Sequence, residues 1–405
     1  MEQKMKRPAL LKNTVQDYAW GSSTAIPQLL GEKNPSGKPQ AELWMGAHPK
    51  APSLVDCGGQ WRSLQELIEN YPQDILGDKI ADKFHNKLPF LFKVLAAAKP
   101  LSIQAHPGLS QAIEGFRREN AEGIPMNASN RNYKDANHKP ECICALSPFW
   151  ALYGFRNVSE ILALTKKSCP VGLANEINGL MRQRDSQGLK RYFTHLMTLD
   201  ADRQKKVIDE ALQNAPRFSD EDDAFYWMIR LSDEYPVDIG ILSPTLLNVV
   251  QLTPGQALFL PAGELHAYLE GFGIELMASS DNVLRGGLTP KHIDITELLK
   301  VLNFEPRTIN VLETVQKDKA ERMYACPADE FVLSVISVSD ELRYQSKETR
   351  SVEIVLCTDG KTFLKDNGSK DLIELAKGTS AIIPAAVKSY CLSGNGTLYK
   401  ASVPI

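Results

Sequence analysis

The sequence predicts a mainly β protein interrupted by one helical insertion. Three observations carry this. Short apolar or alternating runs, cut by Gly, Pro and Asn, dominate both ends of the chain. Residues from about 158 to 234 instead have few glycines, many charges and apolar positions at helical spacing. Near the end, LAKGTSAIIPAA at 375–386 echoes LTPGQALFLPAG at 252–263, as two copies of one β unit would.

In chain order, KNTVQDYAWG, AELWMGAHP and LPFLFKVLAAAKPLSIQAHP read as strands with long loops between them. One helix is expected near Ser63 to Asn70, where Ser63 and Glu66 have capping-box spacing ahead of Leu67 and Ile68. In the insertion, Val207, Ile208, Ala211 and Leu212 share one helical face; Phe225, Met228 and Ile229 share another behind a cap at Ser219. Strands resume at LLNVVQL, a short helix follows in ITELLKVLNF, and a new strand series begins after Cys326. The expected organisation is one β domain in two segments, 1–155 and 241–310, split by a helical domain at 156–240 and followed by a second β unit at 311–405. Ser389 stands in the second copy where His266 stands in the first, so that unit is expected to lack a metal.

At 405 residues the chain exceeds a single ordinary core, and 43% apolar with 23% charged residues is a globular composition. A formal charge of −3 without any basic block argues against nucleic acid and anionic lipid as partners. Met1 to Lys12 lacks a signal-peptide core, and no uninterrupted apolar run reaches the roughly 18 residues of a membrane span, so neither export nor membrane insertion is expected. The seven cysteines are odd in number and lack paired metal spacing, which fits a reducing cytoplasm. Cys142 and Cys144 alternate on a strand, but no second thiol pair follows to complete a metal site.

The chemistry begins in PLSIQAHP, where Gln104 and His106, two apart on a strand, face the same side. GQALFLPAGELHAY delivers His266 just after a Pro-Ala-Gly turn, and NHKPE supplies His138 and Glu141. Two imidazoles, a carboxylate and an amide oxygen suit zinc or another first-row divalent ion and leave room for substrate. His85 and His195 lie in polar stretches and read as surface residues, whereas His48 and His292 are left unassigned. Lys93, inside the apolar run LPFLFKVL, is either a buried cation or a lysine stretching its stem to solvent. Arg285 precedes two glycines, with Lys291 nearby, and would suit a phosphate or a developing enolate oxygen unless a salt bridge to Asp281 or Glu275 occupies it. Neither a phosphate-cradling glycine loop nor a nucleophile elbow is present, which disfavours nucleotide chemistry.

Taken together, NTVQDYAWG, AELWMGAHPKAPS, LPFLFKVLAAAKPLSIQAHP, NYKDANHKPE and LTPGQALFLPAGELHAYLEGFGIELMASSDNVLRGGLTPKHID resemble the type I phosphomannose isomerases. These blocks run over most of residues 13 to 295; the insertion and the C-terminal part match in organisation more than in motif. The resemblance implies two cupin-like (jelly-roll) β-barrels with an α-helical domain, and interconversion of mannose 6-phosphate and fructose 6-phosphate by zinc-assisted proton transfer. It implies mannose metabolism and supply toward GDP-mannose, one zinc ion per chain, a phosphosugar as the only partner, and a monomer. Carried over by motif, the zinc ligands fall on Gln104, His106, Glu141 and His266, the four that spacing selects. The substrate-binding set falls on Lys93, Ser102, Lys291 and Glu275, the catalytic arginine on Arg285, and ring opening and proton transfer on His138, Lys139 and Asp281. Without the resemblance, two histidines and a carboxylate would equally describe a non-haem iron oxygenase, or a sugar-binding cupin without turnover. Gln104 as a fourth ligand and the cations Lys93, Arg285 and Lys291 argue against the oxygenase.

Overall fold

The structure, a computed structural model, describes residues 6–368 and 371–405; the first five residues of the segment expected from residue 1 lie outside it. Two antiparallel sheets dominate, of eleven and ten strands. Neither closes into a ring of paired strands among the described residues, so the expected barrels are open in their hydrogen bonding. In the ten-stranded sheet the pairing branches around the long strand His266–Ala278. Its first part pairs with Ile103–Ala105 and Phe149–Phe155, its second with Phe90–Ala97 and Glu141–Ala145. Gly271 takes φ 142° at the changeover, where a Cβ would come within 2.6 Å of Phe149.

The eleven-stranded sheet is mostly C-terminal, but the N-terminal strand Ala9–Lys12 joins it through Ser380–Ile383, and Leu54–Asp56 and Trp61–Ser63 extend it. The first expected segment therefore contributes strands to both sheets. Ser380–Ile383 and Ala257–Leu260 occupy the same four positions of the two echoing stretches, and each ends at a proline.

Helices fill Val158–Ser168 through Asp223–Glu234, with a short helical stretch continuing to Leu246. The last of the long ones is capped by Asp222 rather than Ser219: the Asp222 carboxylate accepts from the Ala224 N–H, and the residues at 219–221 form a turn ahead of it. Between 12 and 147 the helix Leu64–Asn70 forms with Ser63 as its cap. Four further helices, Ala25–Leu30, Pro72–Leu76, Asp78–Lys83 and Leu109–Ala121, replace what reads as loop. Leu109–Ala121 escapes a hydrophobicity reading because it buries Ala112, Gly115 and Glu119 and exposes Leu109 and Ile113.

Two cores position the cleft. One lies between the sheets, where Phe90, Phe92, Val94, Cys142, Cys144 and Leu276 meet Leu333, Ile354 and Tyr399. The other joins the helical layer to Ile103, Ala105, Leu265, Ala267 and Leu284. Since strand side chains alternate, both cores drive the intervening residues toward one shared cleft.

Candidate metal centre

Each metal-ligand candidate sits beside residues that pin its strand. Ile103 and Ala105 pack on the helices, so Gln104 and His106 turn the other way. Leu265 and Ala267 do the same for His266, and Leu284 for Arg285. Antiparallel register sets Gln104 opposite both His266 and Arg285. Glu141 arrives from the neighbouring strand, whose Cys142 and Cys144 are sunk in the inter-sheet core; the pair serves packing, with the Cys144 thiol 3.2 Å from the Tyr324 hydroxyl.

His106, Glu141 and His266 are buried, and their ligand atoms lie within 4.8 Å of one another. His106 Nε2 is 3.3 Å from one Glu141 oxygen and His266 Nε2 is 3.4 Å from the other. The opposite ring nitrogens settle the tautomers. His106 Nδ1 is 2.7 Å from the Asn282 carbonyl and His266 Nδ1 is 3.0 Å from the Glu264 carbonyl. Carbonyl oxygens only accept, so both Nδ1 atoms carry hydrogen, and in a neutral ring Nε2 presents a lone pair. Burial, with Lys139 adding to it, pushes His106 down to about 4 and keeps that ring neutral near pH 7. Two imidazole lone pairs then point at a carboxylate in a buried space, and His106 Nε2 has no hydrogen-bond partner. Such an arrangement repels itself unless a cation lies between, and nitrogen with carboxylate oxygen is a zinc donor set. Gln104 stands opposite His266 in the strand register, and its amide nitrogen donates to Ser102 Oγ at 3.2 Å.

Lys139 Nζ lies 2.9 Å from Glu141 Oε1. Burial alone would raise the Glu141 carboxyl, but the Lys139 ammonium outweighs it and holds it well below its ordinary value. The ligand is thus a carboxylate before any metal binds.

Farther along the cleft, Lys93 is buried, with Glu275 at 2.9 Å, Glu42 at 3.7 Å and the Trp44 ring beneath it. Trp44, Lys93 and Glu275 stand in one cross-strand row. Burial opposes the charge, yet the two carboxylates raise Lys93 above its ordinary value. The phosphate contact expected of Lys93 would have to reach an ammonium already enclosed by two acids. Arg285 and Lys291 differ. Neither makes an ion pair among the described residues, and each is held below its ordinary value chiefly by burial, with Arg285 also repelling Lys291. The two acids that could have neutralised Arg285 are taken elsewhere, Glu275 by Lys93 and Asp281 by His48 and Lys50. Asp281 is held far below the usual carboxylate range, first by the His48 hydrogen bond and then by Lys50 against the effect of burial.

His138 does not ligate with Glu141. Its Nε2 lies 2.6 Å from Oε1 of Glu330, a residue of the C-terminal part. Three residues were missed in the sequence. Glu330 lies in no motif, and Glu42, although inside AELWMGAHPKAPS, carries no local mark; both are brought in by tertiary structure alone. Asn282 lies inside a quoted block, yet nothing local marks it as the buried hub it is: its side chain accepts from the Lys134 and Asp135 N–H groups and donates to the Asp135 and Asn137 carbonyls.

Comparison with known proteins gives a consistent result. Residues 9–158 match the phosphomannose isomerase type I catalytic domain, and residues 320–403 match the mannose-6-phosphate isomerase cupin domain. The mannose-6-phosphate isomerase of Escherichia coli is 44% identical over 96% of this chain and 97% of its own length. The human mannose-6-phosphate isomerase is 36% identical over 93% of each chain. A crystal structure of zinc-bound mannose 6-phosphate isomerase superposes with a TM-score of 0.90 at 39% identity, covering 98% of this chain and 100% of that one. A phosphomannose isomerase mutant from Salmonella typhimurium gives 0.91 at 40% identity over the same shares.

Proposed function

The chain belongs to the type I phosphomannose isomerases, and we propose that it interconverts D-mannose 6-phosphate and D-fructose 6-phosphate in the cleft around His106, Glu141 and His266. The observation that carries this is the convergence of two imidazole lone pairs and a carboxylate in a buried space, with two cations, Arg285 and Lys291, that no acid among the described residues neutralises. Gln104, His106, Glu141 and His266 would hold zinc, which would supply a Lewis acid for the oxygens of the open-chain sugar.

The remaining work falls to side chains. Isomerisation takes the C2 hydrogen of the aldose as a proton, passes through a cis-enediolate and returns a proton to C1. Arg285, unpaired and partly withdrawn from water, faces the negative charge that develops on oxygen. Lys291, with Ser102, receives the phosphate, whose remote binding energy orients the reacting carbons. Lys93 is assigned to holding Glu275 in place, its charge countering in part the burial that raises the Glu275 carboxyl. Among His138, Lys139 and Asp281, the lysine is committed to Glu141 and the aspartate to His48 and Lys50. His138 keeps one ring nitrogen free and is assigned to proton transfer; such a group contributes about 10²- to 10⁴-fold.

The chain is proposed to act as a monomer. All seven thiols are free, in line with a reducing cytoplasm, and no helix among the described residues is long and apolar enough to cross a membrane. A coupled assay for fructose 6-phosphate, on protein as purified, after chelation and after zinc is restored, tests the reading. Activity should vanish on chelation and return with zinc. No turnover by folded, zinc-loaded protein overturns it.

A further inference from the structure

His138, three residues before Glu141, takes its partner Glu330 from the C-terminal part of the chain. We propose that Glu330 is a positioning residue for His138, so that the C-terminal part takes a share in turnover; this rests on the isomerase reading above. The contact is short, 2.6 Å from His138 Nε2 to Glu330 Oε1, the range of a hydrogen bond with a charged acceptor. Its carboxylate is not a surface acid that happens to meet an imidazole. The side chain is only 13% exposed, and its second oxygen, Oε2, is buried without any hydrogen-bond partner. An acid included only for stability would gain by having both oxygens satisfied. Here one oxygen is spent on the imidazole and the other is left unmet.

Both sides of the contact are anchored. Next to Glu330, Phe331 is completely buried in the core between the sheets, while Asp329 reaches Lys83 at 3.1 Å. On the other side, the residue before His138 gives its carbonyl to Asn282, whose own carbonyl holds His106. The imidazole is therefore gripped at Nε2 and along its backbone, and Nδ1 has no hydrogen-bond partner among the described residues. An acceptor at Nε2 requires the hydrogen there, so the neutral ring carries its lone pair on Nδ1. The His138 side chain is 29% exposed, and that lone pair is the one assigned to the substrate. Glu330 thus selects the tautomer and fixes the ring plane, as the orienting carboxylate does in a hydrolase triad.

The test is a double-mutant cycle on the zinc-loaded full chain, with Glu330→Ala, His138→Ala and both together, read as kcat and KM for mannose 6-phosphate alongside zinc content. Glu330→Ala should lower kcat about 10- to 100-fold with KM nearly unchanged, the size seen when an orienting partner is lost. Glu330→Gln keeps an acceptor for the Nε2 hydrogen and should recover most of that loss. In the His138→Ala background, removing Glu330 should change nothing further. Should Glu330→Ala fail to fold, Glu330→Asp, whose oxygens are withdrawn by one methylene, must show the same kcat loss and the same silence without His138. Full kcat in folded Glu330→Ala, or losses that multiply in the double variant, would overturn the proposal. Failure of the wild type to turn over would instead sink the isomerase reading and this proposal with it.

Discussion

His106 donates its Nδ1 hydrogen to the backbone carbonyl of Asn282 at 2.7 Å, and the Asn282 side chain in turn fastens the loop that carries His138, Lys139 and Glu141. One residue thus sets the angle of one metal ligand and the approach of another. Asn282→Ala deletes the side-chain bonds to residues 134–137 and lets the carbonyl drift. Zinc affinity should fall about 10- to 100-fold, as for other outer partners of metal ligands. Competition against a chromophoric chelator measures this, and unchanged affinity in a folded variant would refute it. Asn282→Asp sets a buried carboxylate against the Asp135 and Asn137 carbonyls and the Asp135 carboxylate, so it should weaken zinc binding at least as much.

Lys93 offers a sharper choice between two roles. A phosphate contact predicts that its loss raises KM and leaves stability alone. Enclosure by Glu275 and Glu42 predicts the opposite. Lys93→Met leaves two carboxylates buried without their cation, and breaking a buried pair in this way costs about 3–5 kcal/mol. Urea denaturation should show that loss. Replacing Glu275 by Gln in the same chain should restore part of it, because fewer buried charges are then unpaired. A Lys93→Met variant of wild-type stability with a raised KM would return Lys93 to the phosphate.

How much of this was legible in the sequence depends on where the cause lies. Alternation around Gln104 and His106 was readable because Ile103 and Ala105 are apolar and local. So was the helix behind Ser63, whose cap accepts from the Glu66 N–H, and the insertion face of Val207, Ile208 and Ala211, all buried. Leu109–Ala121 was not, since Gly115 packs against the Tyr133 ring and Glu119 accepts the backbone N–H groups of Asn132 and Tyr133, an interior made of small and polar residues. Nor could the pairing of Ala9–Lys12 with Ser380–Ile383 be seen, because partner choice between distant strands leaves no local mark. The same holds for the site. Ligands that end apolar strands announce themselves, whereas Glu42 and Glu330 matter only through what the fold brings to them.

Arg285 and Lys291 should separate activity from stability. Neither has an ion-pair partner among the described residues, so neutralising them removes repulsion and no attraction. Arg285→Ala is expected to lower kcat about 10²- to 10³-fold, the scale of one lost oxyanion donor, while leaving the melting temperature equal or higher. Lys291→Ala should act mainly on KM for the phosphosugar. Loss of stability in Arg285→Ala comparable to the loss in Lys93→Met would show that a protein acid holds Arg285 after all.

The self-repelling arrangement at the metal centre predicts how metal and stability are linked. Because the lone pairs of His106 and His266 face the two oxygens of Glu141, the folded chain without metal carries electrostatic strain that a bound cation converts into attraction. Zinc should therefore stabilise the fold in proportion to the logarithm of its free concentration, by about 2.7 kcal/mol at 100 times Kd, and raise the melting temperature with it. Glu141→Gln removes the negative pole. It should abolish the zinc-dependent rise without unfolding the chain, although Lys139 loses its partner and offsets part of the relief. Thermal melts against buffered zinc distinguish the cases: a rise that persists undiminished in Glu141→Gln would mean that the stabilising ion binds elsewhere.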